Sequence, residues 1–371
     1  MSILANKYRP RKIADLIGQD AVSKVLINSI KSQKLHHAYI FAGQFGCGKT
    51  SSARILAASV NDKGGMSLEP NQEDPDIQAI FAGKSPDVNE LDAASQGSIE
   101  KIRELKEEIR FAPIRSKYRF VIIDEAHRLT GAAAEAALKM IEEPPANVIF
   151  ILCTTDADKL KDTIHSRCMP LRFNKVSWDQ LYTNLKKVVD QEKISCDEAA
   201  LKIAARLSKG SVRNSLQNLQ MMITFANGEK ITSEVAQQAL AAVDENKFFD
   251  LVDEILKPDA GEAMRIIDHL LGDGRDVGEV LNGLVGHIRT LLVIKTAKDT
   301  AKLLFLTEEE KKKFAHQAQS KSVSIALLLQ MIDLIAEVNR GIALNLNAQT
   351  MLEKFVINSI IFSRTENKAA G

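Results

Sequence analysis

The four cysteines of this 371-residue chain, Cys47, Cys153, Cys168 and Cys196, never fall at the two-residue spacing of a metal knuckle or a redox pair. Their scatter argues against a disulfide framework and against a zinc site, and leaves reduced thiols as the expectation. Long apolar runs are missing as well: none approaches the roughly eighteen residues that a membrane-spanning helix needs. The amino-terminal MSILANKYRPRK lacks the basic-then-apolar order of a signal peptide. A soluble, cytoplasmic protein with no membrane partner is therefore expected. Nor is there an excess of charge of one sign. With a formal net charge of +1 and no basic tail, any nucleic-acid contact has to come from a local patch made by the fold or by assembly. Internal repeats and low-complexity tracts are also absent.

What the chain does have is length and apolar content, 45% hydrophobic over 371 residues, enough for two or three domains with separate cores. Up to about Lys175 the apolar runs AYIFAG, DVNELDA, RFVIIDEA and VIFILCTT alternate with helical stretches, which predicts an α/β fold with a parallel sheet covered on both faces. The segment NDKGGMSLEPNQEDPD, residues 61–76, reads as an exposed connection. From 176 to 244 only helical spacing is found, broken by SKGS and NGEK, and this predicts a small helical domain. A further helical region, punctuated by KPDAG and GDGRD, occupies 245–363, and the polar end RTENKAAG, 364–371, is expected to be disordered.

Residues 43–50 read GQFGCGKT, the pattern G-x-x-x-x-G-K-[ST], after a strand-like run and before the helical SSARILAASV. Gly43, Gly46 and Gly48 let the backbone turn its N–H groups inward, so that Gln44, Phe45, Cys47 and Ser51 complete a cradle for phosphate oxygens at a helix N-terminus. Lys49 is expected to reach the β- and γ-phosphates and Thr50 to ligate Mg²⁺. In RFVIIDEAH, four apolar residues lead to Asp124 and Glu125 at the carboxyl end of a strand, where ligands sit in open α/β sheets. Asp124 is expected to hold the Mg²⁺ shell and Glu125 to polarise the attacking water. Thr154 and Thr155 end the run VIFILCTT; Arg167 lies in IHSRCMPLRF and Arg213 in KGSVRNSL. On spacing alone the threonines read equally well as turn residues, and lone arginines as solvated surface groups.

Taken in order, these motifs resemble the AAA+ ATPases of the clamp-loader branch, most closely the γ/τ family of bacterial DNA polymerase III. The resemblance is carried by KYRPRKIADLIGQDAV, HHAYIFAGQFGCGKTSSARILA, ELDAASQGSIEKIRELKE, YRFVIIDEAHRLTGAAAEAALKMIEEPP, FILCTTDADKL, TIHSRC and GSVRNSLQNL, and more weakly by LNAQTMLEKFVINSII near the end. It implies a RecA-like AAA+ domain over 1–175, a helical lid over 176–244 and a helical collar that oligomerises over 245–363. It implies further that Thr155 is sensor 1, that Arg213 is sensor 2 on the lid, and that Arg167 is an arginine finger serving a neighbour's ATP. Arg9 and Pro10, with Ile17 to Gln19, would line the adenine side. The implied cofactors are ATP and Mg²⁺. The implied partners are a sliding clamp, primer–template DNA, copies of the chain itself and other clamp-loader subunits in a ring. DNA phosphates would meet Ser95, Ser98, Lys101 and Arg103. Members of the family usually carry a four-cysteine zinc module between the P-loop helix and the DAAS strand; no cysteine occurs there in this sequence, so no zinc is expected. The chain also stops soon after the collar, which implies that a τ-type extension is lacking. Two other readings stay open at this point: a DNA motor of the Holliday-junction or helicase type, and a clamp-loader subunit without hydrolysis, against which Gly48-Lys49-Thr50 and Asp124-Glu125 argue.

Overall fold

Strands buried on both faces read as continuous apolar runs, and the four expected here become parallel strands in the computed structural model. The structure describes residues 4–240, 245–257, 259–272, 277–297, 305–320 and 322–369. The strands are β1 (Ala38–Ala42), β2 (Val88–Asp92), β3 (Arg119–Asp124), β4 (Val148–Thr154) and a fifth, β5 (Met169–Arg172), ordered β2-β3-β4-β1-β5. All pairings are parallel, with Ala42 opposite Thr154 and Asp92 opposite Asp124, so the carboxyl ends of the strands finish level with one another. β5 was not among the expected runs. It is four residues long, only Leu171 of it is buried, and Pro170 sits opposite Ile40, a residue type that a sheet admits chiefly at its edge.

Alternation along the strands sends side chains to two separate cores. Tyr39, Phe41, Phe120, Ile122 and Ile151 meet Leu26, Ile55, Leu56 and Ile77 from helices Asp20–Lys31, Lys49–Val60 and Pro75–Ala82. On the other face Ile40, Val121, Ile123, Phe150 and Leu152 meet Ile102, Leu105, Ala137 and Ile141 from helices Ile99–Glu108 and Gly131–Glu142. The result is a three-layer α/β/α sandwich, the fold class expected. β2 and β3 are tied at their amino ends by Asp87, which is fully buried. Its carboxylate accepts the backbone N–H groups of Ile114, Arg115 and Ser116 at 2.7, 2.7 and 2.9 Å, with the Arg119 guanidinium 3.6 Å away.

The chain divides into two compact units, Met1–Ser195 with Ala204–Thr224, and Cys196–Ile203 with Phe225–Gly371. Residues 176–195 and 204–224, from the segment read as a separate helical domain, fall in the first unit. The second unit is helical over the described residues. Helices Glu245–Leu256, Ala260–Gly272, Val277–Thr296, Glu308–Gln319, Ile325–Ala343 and Ala348–Ala369 share a core that includes Phe248, Leu284, Met331 and Phe355. The last helix runs to Ala369, and RTENKA contains no Gly or Pro to stop it; residues 370–371 of the end expected to be disordered lie outside the described residues. None of the described helices is long and apolar enough to cross a membrane. Inside the helical core His287 is buried, with Nε2 2.8 Å from Gln317 Oε1, while Gln317 Nε2 donates to Asp253 Oδ1 at 2.7 Å and to the Phe249 carbonyl at 3.0 Å. The amide orientation leaves His287 as the Nε2–H donor, a neutral ring between Phe249 and Phe314.

Two stability experiments follow from these buried polar groups. Burial raises the Asp87 pKa, but the three backbone donors and Arg119 outweigh it and hold the carboxyl below its ordinary 3.8. Its contribution is complete above that value and is lost as pH falls through the lower folded-state pKa. Asp87→Asn turns an N–H group toward Arg115 and Ser116, and unfolding titrations should show a loss of about 2–4 kcal/mol at neutral pH. For His287, burial lowers the pKa from 6.5 to about 4. Unfolded chains therefore bind the extra proton between those values, and stability of the helical unit should fall as pH drops from 6.5 towards 4. In His287→Phe that slope should flatten, as read by thermal melts across the same range.

Candidate nucleotide site

β1 runs into the loop 43–48 and from there into helix Lys49–Val60. The turn needs left-handed backbone at Gly46 and Gly48, with φ 74° and 104°, and a Cβ on Gly46 would lie 2.0 Å from Ser211 Oγ. The Gly46 carbonyl also accepts the N–H of Val212 at 3.1 Å, which fastens the loop to helix Val212–Ala226. Lys49 is 5% exposed, and its ammonium donates to the Gly43 and Gln44 carbonyls at 2.7 and 3.0 Å, across the mouth of the loop. The Cys47 thiol lies 2.8 Å from the Gln44 carbonyl, and burial raises its pKa, so it is a thiol rather than a thiolate.

The two acidic residues stand where β3 ends. Thr50 Oγ1 donates to Asp124 Oδ2 at 2.7 Å, and Asp124 Oδ1 accepts the Glu125 N–H at 3.0 Å. Glu125 itself has φ 49°, a conformation that costs a non-glycine residue about 1 kcal/mol or more and collects at functional sites. Its Oε2 accepts from Thr155 Oγ1 at 3.1 Å and lies 3.4 Å from His127 Nδ1. The two threonines thus part company: Thr155 is exposed and reaches Glu125, whereas Thr154 is fully buried and bonds to the Asp156 backbone and to His127.

A cavity of about 730 Å³ opens over these groups. Residues Phe45 to Ser51 line it, with Arg9, Pro10, Ile17, Asp124, Glu125 and Arg213. Gly43 and Gln44 are not part of that lining but contribute the carbonyls that hold Lys49. Arg213 places its guanidinium 5.3 Å from the centre of the Phe45 ring. Arg9 Nε donates to Ser51 Oγ at 3.1 Å, and its pKa is lowered by burial and then by Arg54. That repulsion favours a polyanion beside it. Arg54 is held by Glu90 of β2 at 2.5 and 2.7 Å.

Other expected residues stand elsewhere. Ile17 lines the cavity, but Gln19 does not: its amide is buried and clasps the Asn174 backbone, donating at 2.8 Å and accepting at 2.9 Å. Arg167 lies outside the lining, bound to the Thr163 carbonyl at 2.9 Å, to Ser166 Oγ at 3.0 Å and to Glu142 at 2.9 Å. Ser95, Ser98, Lys101 and Arg103 are all exposed; Ser98 caps helix Ile99–Glu108, Ser95 donates to Asp92 at 2.9 Å and Lys101 pairs with Glu104 at 2.8 Å. His127 is the group that motif reading passed over, although it stands inside the quoted RFVIIDEAH. The available signal was its spacing, two residues after a candidate base on a strand end.

No group of three or more His, Cys, Asp or Glu among the described residues is arranged to hold a metal ion. The connection after the P-loop helix is tied by direct bonds. Asn61 brackets the Tyr118 backbone at 2.9 Å in both directions, Asp62 accepts the Asn71 N–H at 2.7 Å, and Lys63 bridges Asp74 and Asp76 at 3.0 and 2.9 Å.

With this geometry in hand, similarity to known proteins can be placed on it. Residues 18–177 match the family described as DNA polymerase III, delta subunit, and residues 231–361 match DNA polymerase III subunits gamma and tau domain III. The chain is 33% identical over 328 residues to the DNA polymerase III subunit tau of Bacillus subtilis, covering 88% of this chain and 58% of that one. It is 36% identical over 300 residues to the subunit gamma/tau of Mycobacterium bovis, covering 80% and 52%. It therefore spans little more than half the length of those two relatives. Against the DNA polymerase III subunit gamma of Buchnera aphidicola it is 33% identical over 333 residues, 89% of this chain and 91% of that subunit. On that likeness, with the P-loop and paired acids it covers, the chain belongs to the DNA polymerase III γ/τ subunit family.

Proposed function

We propose that the chain is the ATPase subunit of a clamp loader, in which ATP binding and hydrolysis drive the opening of a sliding clamp and its loading onto primer–template DNA. The observation that carries the enzymatic part is the cluster of Lys49, Thr50, Asp124, Glu125 and Thr155 at the level carboxyl ends of β1, β3 and β4. Family membership carries the clamp-loading part. The γ subunit that this chain spans almost end to end supports it, because that likeness includes both the sheet unit and most of the helical unit.

Thr50 and Asp124 fit Mg²⁺, since a hydroxyl and a carboxylate already in contact are hard oxygen donors of the kind that ion takes. When bound, the ion offsets charge on the phosphate oxygens. The chain's own residues supply the remainder. Loop N–H groups and Lys49 grip the phosphates, Glu125 accepts a proton from the attacking water, and Thr155 holds that carboxylate in place. Arg213 over Phe45 reports on the nucleotide from helix Val212–Ala226, and Arg9, hydrogen-bonded to Ser51, lines the same cavity with Pro10 and Ile17 on the adenine side. Arg167, bound to Glu142 and outside its own cavity, serves a neighbouring subunit. A nucleotide-binding domain over 1–175, a lid over 176–244 and an oligomerising collar over 245–363 go with this reading. So do copies of the chain and other subunits as ring partners, a cytoplasmic location, DNA contacts at Ser95, Ser98, Lys101 and Arg103, and the absence of zinc.

Lys49→Ala should remove ATP binding in a nucleotide titration, whereas Glu125→Gln should keep binding and lose turnover; equal loss of binding in both would overturn the division of roles. Arg167→Ala should leave binding within about twofold and cut DNA-stimulated turnover by about 10²-fold or more. Mixing Arg167→Ala with Lys49→Ala subunits should restore partial activity, because some interfaces then pair an intact site with an intact finger. A mixed assembly as inactive as its components would show that Arg167 acts within its own chain.

A further inference from the structure

We propose that His127 is a positioning residue for hydrolysis: held to the end of β4 through Thr154, its imidazole braces the Glu125 carboxylate beside it. This rests on Glu125 being the base of the proposed reaction. The turn Ala126–Arg128 after β3 carries the imidazole to a point between two strand ends, with Nδ1 3.0 Å from Thr154 Oγ1 and 3.4 Å from Glu125 Oε2. Hydrogen bonding at Thr154, together with the carboxylate 3.4 Å away, favours a proton on Nδ1. The Thr154 hydroxyl has one proton, and the Asp156 carbonyl at 3.0 Å can only accept it. Thr154 Oγ1 then accepts twice, from the Asp156 N–H at 3.0 Å and from His127. His127 then donates through Nδ1–H to Thr154, and the same nitrogen lies 3.4 Å from Glu125 Oε2, the oxygen that accepts from Thr155.

Glu125 needs such anchors. Its backbone is left-handed and follows the end of the strand, so its own element gives the side chain little support. Both anchors lead to β4: Thr155 directly and His127 through Thr154. Thr154 in turn accepts the Gly43 N–H through its backbone carbonyl at 3.1 Å. The position of the base is thus set by the strand that also meets the first residue of the phosphate loop. His127 is not among the residues that line the cavity; it orients Glu125, which is.

The test compares His127→Asn, His127→Gln and His127→Leu in the full chain, reading both ATP turnover and equilibrium binding of a non-hydrolysable ATP analogue. Asn sets an amide N–H at the Nδ1 position, Gln sets one at the Nε2 position, and Leu has none. Leu and Gln should lower kcat by about 10- to 100-fold with the analogue's Kd within about twofold, and Asn should recover most of the rate. Wild-type turnover in the Leu variant overturns the inference, as does Asn performing no better than Gln, a comparison that stands even if Leu fails to fold. Glu125→Gln separates the two levels. If it hydrolyses ATP at the wild-type rate, Glu125 is not the base and the inference falls with that reading. If it is inactive while His127→Leu is not, only the inference falls.

Discussion

The placement of β4 between β1 and β3 is the constraint on which the site depends. Neither of the strands that carry the phosphate loop and the acidic pair touches the other; each is registered against β4. Where β4 ends, Thr154 accepts a backbone hydrogen bond from Gly43 on one side and meets His127 on the other, and Thr155 reaches Glu125. Because strands rise about 3.3 Å per residue, a shift of one residue in either pairing would slide the phosphate loop and the acidic pair past one another by that distance and turn side chains to the other face. The apolar runs that lock the register are therefore as much a part of the chemistry as the polar residues above them.

The phosphate loop is shaped as much by tertiary packing as by its own glycines. Gly46 could not bear a side chain beside Ser211, and its carbonyl is taken up by Val212, so the loop and helix Val212–Ala226 share one conformation. That joint also delivers Arg213 to Phe45. A ligand that orders the loop must therefore act on the helix as well.

The sheet, its two faces and the nucleotide loop were legible because each rests on a local rule. Continuous apolar runs mark buried parallel strands, and a glycine pattern between strand and helix marks a phosphate cradle. Asp124, Glu125 and Thr50 met as spacing implied. What escaped were features that only the fold brings together. β5 has too few buried residues to register as a run, His127 gains meaning only from Thr154 on the next strand, and Gln19 looked like a ligand-side residue until its clasp on Asn174 appeared.

β5 has a consequence of a different kind. A sheet edge offers unpaired backbone groups to any neighbouring strand. Here the edge next to β1 is closed by a four-residue strand whose second position, Pro170, has no N–H to give. Strand-to-strand pairing across this edge is cut short before it can propagate. Any neighbour that meets this edge finds mainly side chains to contact, and such contacts release more readily than a backbone ladder.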